Sequence, residues 1–316
     1  MITSGRQPSG VTDLLQTASP SITSAPTRST APGRPSTPIT VAHRGASAEA
    51  PENTLCALRR AVETGADMVE IDVQRTRDGA LVLMHDSTLL RTTDVRTRFP
   101  GRSPWRVEQL DHDEIRALDA GSWLSPRFAG EVVPTVAEAI EVLRGSGTGL
   151  LLELKLPEHH PGVVPDLVQE LETIPGYLPG AVASGSLVVQ SFDVAAMKQH
   201  KTLAPAVPVG LLGRPRRSNL PALSTWAQYV NPAYLCTDQA YVARVQQLGM
   251  RCLTWTVDAE RSMHRAARLG VDGIITNRPQ RLHSVLRATP FDDRAAGYRV
   301  PTGTAGARRP TPSREE

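Results

Sequence analysis

Short apolar runs rich in Val, Ile and Leu punctuate the middle of the chain at 39–43 (ITVAH), 68–73 (MVEIDV), 80–85 (ALVLMH), 150–155 (LLLELK), 187–192 (LVVQSF), 207–212 (VPVGLL), 228–231 (QYVN), 251–257 (RCLTWTV) and 272–276 (DGIIT). Runs of this length with β-branched residues predict strands. The stretches between them repeat apolar residues at helical spacing and predict helices over 53–64, 112–118, 134–144, 163–173, 193–200, 239–248 and 259–269. Gly65, Gly249 and Gly270 stand where a helix C-cap favours a residue without a Cβ. Strands alternating with helices predict a parallel α/β sheet. The patterned span, about 39–288, is close to the roughly 250 residues of a TIM-type (β/α)8 barrel. Nine candidate strands are one too many, so one of them lies outside the barrel or is not a strand.

One interval breaks the alternation. Parallel neighbours need a crossover of about a dozen residues or more, and the chain between Asp72 and His85 is too short for a helix. Asp78-Gly79 is a strong turn signal, so a hairpin is expected there. A hairpin symmetric about these two residues pairs position 72 with position 85. The glycine-rich stretch 145–149 (GSGTG) precedes its strand, whereas a dinucleotide fingerprint follows one, so it reads as a loop.

The flanks lack such periodicity. Residues 1–38 contain 20 Ser, Thr or Pro residues and cannot bury enough surface to offset ordering entropy, so they are expected to be a disordered tail. Residues 291–316 read as a flexible tail, with Phe291 and Tyr298 as candidates for docking.

Composition narrows the function. A hydrophobic fraction of 40% supports a sizeable core, while 4% aromatics disfavour a stacking platform for single-stranded nucleic acid. The formal charge is only +3, with arginines clustered in the C-terminal tail, so no nucleic-acid groove is indicated. Cys56, Cys236 and Cys252 form no CxxC and are expected to be small buried hydrophobes in a reducing compartment. No apolar segment is long enough to span a membrane, and no secretory h-region stands at the N-terminus. A cytoplasmic protein without stable membrane insertion is the expectation.

The chemistry sits at strand ends. His43, Glu70, Asp72, His85, Glu153 and Lys155 all fall at or near them, where barrel enzymes collect their reactive groups. Glu70 and Asp72 are spaced i, i+2 and share a face, as do Glu153 and Lys155. Carboxylates that close dehydrate poorly without a cation, and hard divalent ions such as Ca²⁺ or Mg²⁺ take such ligands. An ion-paired cluster with Arg44 and Lys155, holding no metal, is the plainer alternative. His43 and His85 suit acid/base work near neutral pH, and Arg44 and Lys155 suit phosphate oxygens. Ser191, Trp255 and Thr276 are further candidates for the mouth. His159 and His160 could reach it too, although a solvated loop is the better expectation. Asn53 either caps the first helix or touches phosphate. The constellation suggests cleavage of a phosphodiester.

The ordered motifs HRG (43–45), PENT (51–54), ExD (70–72), DG (78–79), HD (85–86), ExK (153–155), QSF (190–192), TWTV (254–257) and DGIITNRP (272–279) resemble the glycerophosphodiester phosphodiesterase family over nearly all of 39–285. The resemblance implies a TIM-type barrel with a small insertion at about 88–134 and one divalent cation on Glu70, Asp72 and Glu153. It implies His43 and His85 as acid and base, Arg44 and Lys155 on the phosphate, and Trp255 as a wall for the glycerol or alcohol group. The implied reaction is hydrolysis of a glycerophosphodiester to sn-glycerol 3-phosphate and an alcohol, through a cyclic phosphate. Two rivals stand beside it. One is a lysophospholipase D or sphingomyelinase D type activity on a monoacyl lipid, which needs an apolar access surface. The other is a non-catalytic phosphate-binding barrel.

Overall fold

A computed structural model describes residues 37–288. The Ser/Thr/Pro-rich segment up to residue 36 and the 291–316 tail, with Phe291 and Tyr298, lie outside the described residues. All nine predicted strands are present: β1 (Ile39–His43), β2 (Met68–Arg75), β3 (Leu81–Leu83), β4 (Gly149–Leu154), β5 (Leu187–Ser191), β6 (Val209–Leu212), β7 (Tyr229–Asn231), β8 (Arg251–Thr254) and β9 (Gly273–Thr276). Eight are parallel, in the order β1-β9-β8-β7-β6-β5-β4-β2, and pairing of β1 with β2 closes a TIM-type barrel. The surplus strand is β3, which pairs antiparallel with β2.

The hairpin differs from the expected register by one residue. Val73 pairs with Leu83, so position 72 lies opposite position 84 and not His85. The reason is a three-residue loop. Thr76 N donates to Ala80 O, Gly79 N donates to Thr76 O, and Gly79 takes a φ of +96°. This is a tight turn followed by a left-handed residue, a common alternative to the two-residue turn.

The period of two sorts each strand. Val69, Ile71 and Val73 point outward and join Leu150, Leu152, Leu187 and Val189 in the layer beneath the helices. Val41, Met68, Leu151, Val188, Tyr229, Leu253 and Ile275 point inward and fill the barrel as an apolar plug. Two residues further along the strands the inward positions become His43, Glu70, Glu153, Gln190, Asn231 and Trp255. The polar site therefore sits on an apolar floor, at the ends where the chain leaves the sheet.

All seven predicted helices occur with modest shifts at their ends, among them Leu55–Glu63, Val163–Thr173 and Glu260–Arg268. Gly65, Gly249 and Gly270 follow their helices with positive φ. Two longer helices went unpredicted. Tyr177–Ser184 contains Pro179 and Gly180, which mask it. Pro279–Ala288 opens on a proline at its first turn, a favourable helix start, and buries Leu282, Val285 and Leu286. The segment between β3 and β4 builds a cluster of its own from Leu89, Val95, Val107, Leu110, Ile115 and Leu118.

Of the cysteines only Cys252 is buried; Cys56 is half-buried and Cys236 exposed, contrary to the expectation of three buried thiols. Among the described residues no helix is long and apolar enough to cross a membrane.

Leu151 is fully buried in the plug below the polar layer. Leu151→Ala should lower unfolding free energy by about 2–5 kcal/mol, as large-to-small changes in tight cores do. Urea denaturation measures this; a loss under about 1 kcal/mol would mean the plug does not carry the barrel.

Candidate active site and cation cluster

Glu70, Asp72 and Glu153 converge: one carboxylate oxygen from each lies within 4.8 Å of the other two. Each is buried, at 1%, 0% and 7% exposure. Glu70 Oε2 accepts from the Arg44 backbone N–H at 2.9 Å, and Asp72 Oδ2 accepts from Asn53 Nδ2 at 2.9 Å. Glu70 Oε1 and Asp72 Oδ1 are buried without a hydrogen-bond donor. Lys155 Nζ stands 2.8 Å from Glu153 Oε1, where it pairs with that carboxylate, and 3.6 Å from Asp72 Oδ1. Arg44 Nε lies 3.1 Å from Asp72 Oδ2 in the same ionic sense.

The electrostatics follow. Burial, then the charges of Asp72 and Glu153, push the Glu70 carboxyl well above the usual carboxylate range. Burial and Asp72 push Glu153 up to about 7. Asp72 goes the other way: burial opposes its charge, but Arg44 and Lys155 outweigh it and hold the carboxyl low. Three convergent carboxylates, two of them with a buried oxygen that lacks a donor and no thiol or imidazole among them, fit a hard divalent cation. The cation-free alternative of a satisfied ion-pair cluster does not account for the orphaned Glu70 Oε1 and Asp72 Oδ1.

The loop after β1 places Arg44. Arg44 and Asn53 both adopt left-handed backbone, at φ of 56° and 57°, and Asn53 N donates to Arg44 O at 3.0 Å. Gly45 has a φ of +81°, and a Cβ there would lie 2.6 Å from the Ala57 carbonyl carbon, so the loop can press onto the first helix only with glycine. Asn53 neither caps that helix nor faces the pocket. Thr54 accepts from Ala57 N, while Asn53 grips Asp72 through its side chain and the Asp72 backbone N–H.

The two histidines have different partners. His43 Nδ1 is 2.7 Å from Asn277 Oδ1. Asn277 donates its amide to Asp258 Oδ2 at 2.6 Å, so its oxygen accepts and His43 Nδ1 carries the proton. Nε2 is left as the free lone pair. Burial, with Arg44 adding to it, lowers His43 to about 4 and keeps it neutral. His85 Nδ1 lies 2.7 Å from Asp86 Oδ1. Arg91 grips Asp86 and Glu52 together, and Glu52 accepts from Arg44 at 2.9 Å. A chain of alternating charge thus runs from His85 to Arg44. Burial opposes the Asp86 charge, but Arg91 and His85 prevail and hold it at about 2.

These groups open on a cavity of about 180 Å³ lined by His43, Arg44, Glu70, His85, Glu153 and Lys155 on one side and by Phe192, Leu212 and Trp255 on the other. Trp255 Nε1 donates to Asn231 O, and its ring meets Phe192 edge-on at 5.8 Å. Asp72 sits beside the cavity in the cluster. Ser191 and Thr276 do not line it. They have the opposite strand parity, and their hydroxyls bond Leu154 O and Asp258 Oδ1. His160 is neither at the mouth nor solvated but buried against Gln74, whereas His159 is exposed. Asn277, Asp258, Glu52, Arg91, Gln190 and Phe192 were not assigned from sequence. The parity of QSF points Gln190 and Phe192 inward, but the long-range partners of the histidines leave no local pattern.

The model of the glycerophosphoryl diester phosphodiesterase family matches residues 43–281. A glycerophosphodiester phosphodiesterase of Caldanaerobacter subterraneus subsp. tengcongensis is 33% identical over 253 residues, covering 79% of this chain and 98% of the relative. One of Bacillus subtilis is 32% identical over 263 residues, covering 79% and 86%. Among solved structures, an Oleispira antarctica phosphodiesterase in complex with the product sn-glycerol 3-phosphate superposes with a TM-score of 0.70 at 31% identity, covering 79% of this chain and 97% of that one.

In the cation-free protein Glu153 holds its proton up to about 7 against an ordinary 4.5, and Glu70 shifts in the same direction. At these two carboxyls the folded state then binds more protons than the unfolded one, so their contribution to stability falls as pH rises through that window. A cation takes the place of those protons and offsets the loss. The rise in melting temperature that Ca²⁺ or Mg²⁺ gives over EDTA should therefore grow from about pH 5 to about pH 8. At about 100 times Kd the gain is about 2.7 kcal/mol. Glu70→Gln should lose most of the increment; an increment unchanged by that variant would place the cation elsewhere.

Proposed function

The chain belongs to the glycerophosphoryl diester phosphodiesterase family, and on that premise we propose that it hydrolyses glycerophosphodiesters to sn-glycerol 3-phosphate and a free alcohol, with His43 and His85 as its acid/base pair. The observation that carries this reading is the convergence of three buried carboxylates, two of them with an orphaned oxygen, beside a pocket lined by an imidazole from each of two chain segments. Glu70, Asp72 and Glu153 would hold a divalent cation, Ca²⁺ or Mg²⁺, which supplies neutralisation of the phosphate charge. Arg44 and Lys155 add donors for the non-bridging oxygens. Trp255 and Phe192 form the apolar wall against which the glycerol or alcohol group lies.

The partners of the histidines divide the labour. His43 is held neutral with Nε2 free and accepts the proton of the attacking hydroxyl. His85, its Nδ1 held by the Asp86 carboxylate, delivers a proton to the departing alkoxide. The attacking hydroxyl is the one on the glycerol carbon next to the phosphate ester. Its oxygen bonds to phosphorus, the P–O bond to the alcohol breaks, and a cyclic phosphate forms. In the second half His85 takes a proton from water as it attacks phosphorus, and His43 returns its proton to the glycerol oxygen. An internal nucleophile has a large effective concentration, which favours this order over direct attack by water.

Purified protein should release glycerol 3-phosphate from glycerophosphocholine or glycerophosphoethanolamine and lose that activity in EDTA. Turnover of a lysophospholipid alone would replace this substrate class with a monoacyl lipid. Binding of glycerol phosphate without turnover under either ion would make the barrel non-catalytic. His43→Ala and His85→Ala should each lower kcat by roughly 10²–10⁴-fold, the usual range for lost proton transfer. Near-wild-type turnover in either variant would remove that histidine from the reaction.

A further inference from the structure

We propose that Gln74 is a positioning residue for His85: its buried side-chain amide clamps the backbone on both sides of that histidine, and His160 fixes the amide's orientation. This rests on the reading of His85 as a proton-transfer group and extends it to residues outside the pocket. Gln74 is the next inward position of β2 after Glu70 and Asp72, and it is fully buried. It does not line the cavity.

β3 ends at Leu83, so the residues carrying His85 leave the sheet without a ladder partner beyond the Met84 N–H, which donates to Asp72 O at 2.9 Å. Gln74 supplies what the ladder no longer does. Its Nε2 donates to Met84 O at 2.8 Å and to Asp86 O at 2.7 Å, the carbonyls before and after His85. Both amide hydrogens are then used, and Oε1 can only accept. His160 Nε2, 3.2 Å away and nearly inaccessible to solvent, must be the donor to it. His160 arrives on the loop after β4, the strand bearing Glu153. The backbone at His85 is thus tied through one amide to Asp72's strand and to Glu153's loop. Asp86 then turns the ring. A displacement of about 1 Å at a reacting group costs about 10²-fold in rate, so the clamp is rate-determining geometry even though it touches no substrate.

Gln74→Met keeps the length and removes both donors. We expect kcat on glycerophosphocholine to fall about 10–100-fold, within the scale of such misplacement, with KM and the cation-induced rise in melting temperature unchanged. His160→Phe, which removes only the donor to Oε1, should lower kcat by a smaller factor. In a His85→Ala background neither change should reduce kcat further. Unchanged kcat in the single variants, or the same fold loss with and without His85, would overturn the clamp and leave the role of His85 standing. Near-wild-type turnover of His85→Ala alone would sink both. If Gln74→Met does not fold, His160→Phe with and without His85 decides the matter by the same comparison.

Discussion

Three carboxylates share one buried layer of the barrel with, among the described residues, only two fixed cations in contact with them, Arg44 and Lys155, and that imbalance organises everything around it. Glu70, Asp72 and Glu153 crowd together above the apolar plug. Arg44 is shared between Asp72 and Glu52, and Lys155 between Glu153 and Asp72. Like charges at this separation in a poorly solvated site either take up protons or find a cation. Without one, the Glu70 and Glu153 carboxyls are pushed above the usual carboxylate range. The strain of the surrounding backbone, with Arg44 and Asn53 both left-handed, is of the kind that persists where a site over-determines it.

The same layer explains why the catalytic reading needs so many distant segments. The cluster is built from β2 and β4, which are adjacent in the sheet, with Asp72 beside Glu153 in register. His43 comes from β1, paired to the other side of β2 with His43 beside Glu70. His85 comes from the segment just past β3, the hairpin strand that the barrel does not use. Each imidazole is then oriented by a carboxylate or amide outside the cavity, Asp86 for one and Asn277 for the other. Rigid strand ends supply position, and loops supply orientation.

Much of this was legible in the residues. Strand runs and their terminal polar residues were readable because a parallel strand buried on both faces is a short, nearly continuous apolar run. The site layer was readable because the period of two carries an apolar plug residue directly into a polar one, as Met68 to Glu70 or Leu151 to Glu153. Extending that period separates Gln190 from Ser191 and Ile275 from Thr276, and it also reaches Gln74. The hairpin register was not legible, since Asp-Gly suits both two- and three-residue turns. Nor were the pairings of His43 with Asn277 or Arg91 with Glu52, because contacts across the barrel mouth obey no local spacing. His160 was misjudged for a related reason: a buried histidine answering one amide looks, in sequence, like a polar loop.

The most direct measurement is anomalous diffraction from crystals soaked in Mn²⁺, a scatterer that accepts the oxygen ligands of Ca²⁺ and Mg²⁺. The account predicts one strong peak about 2.0–2.6 Å from Glu70 Oε1, Asp72 Oδ1 and Glu153 Oε1. Density at some other place, or a cluster closed by Arg44 and Lys155 alone with its carboxylates protonated, would contradict it.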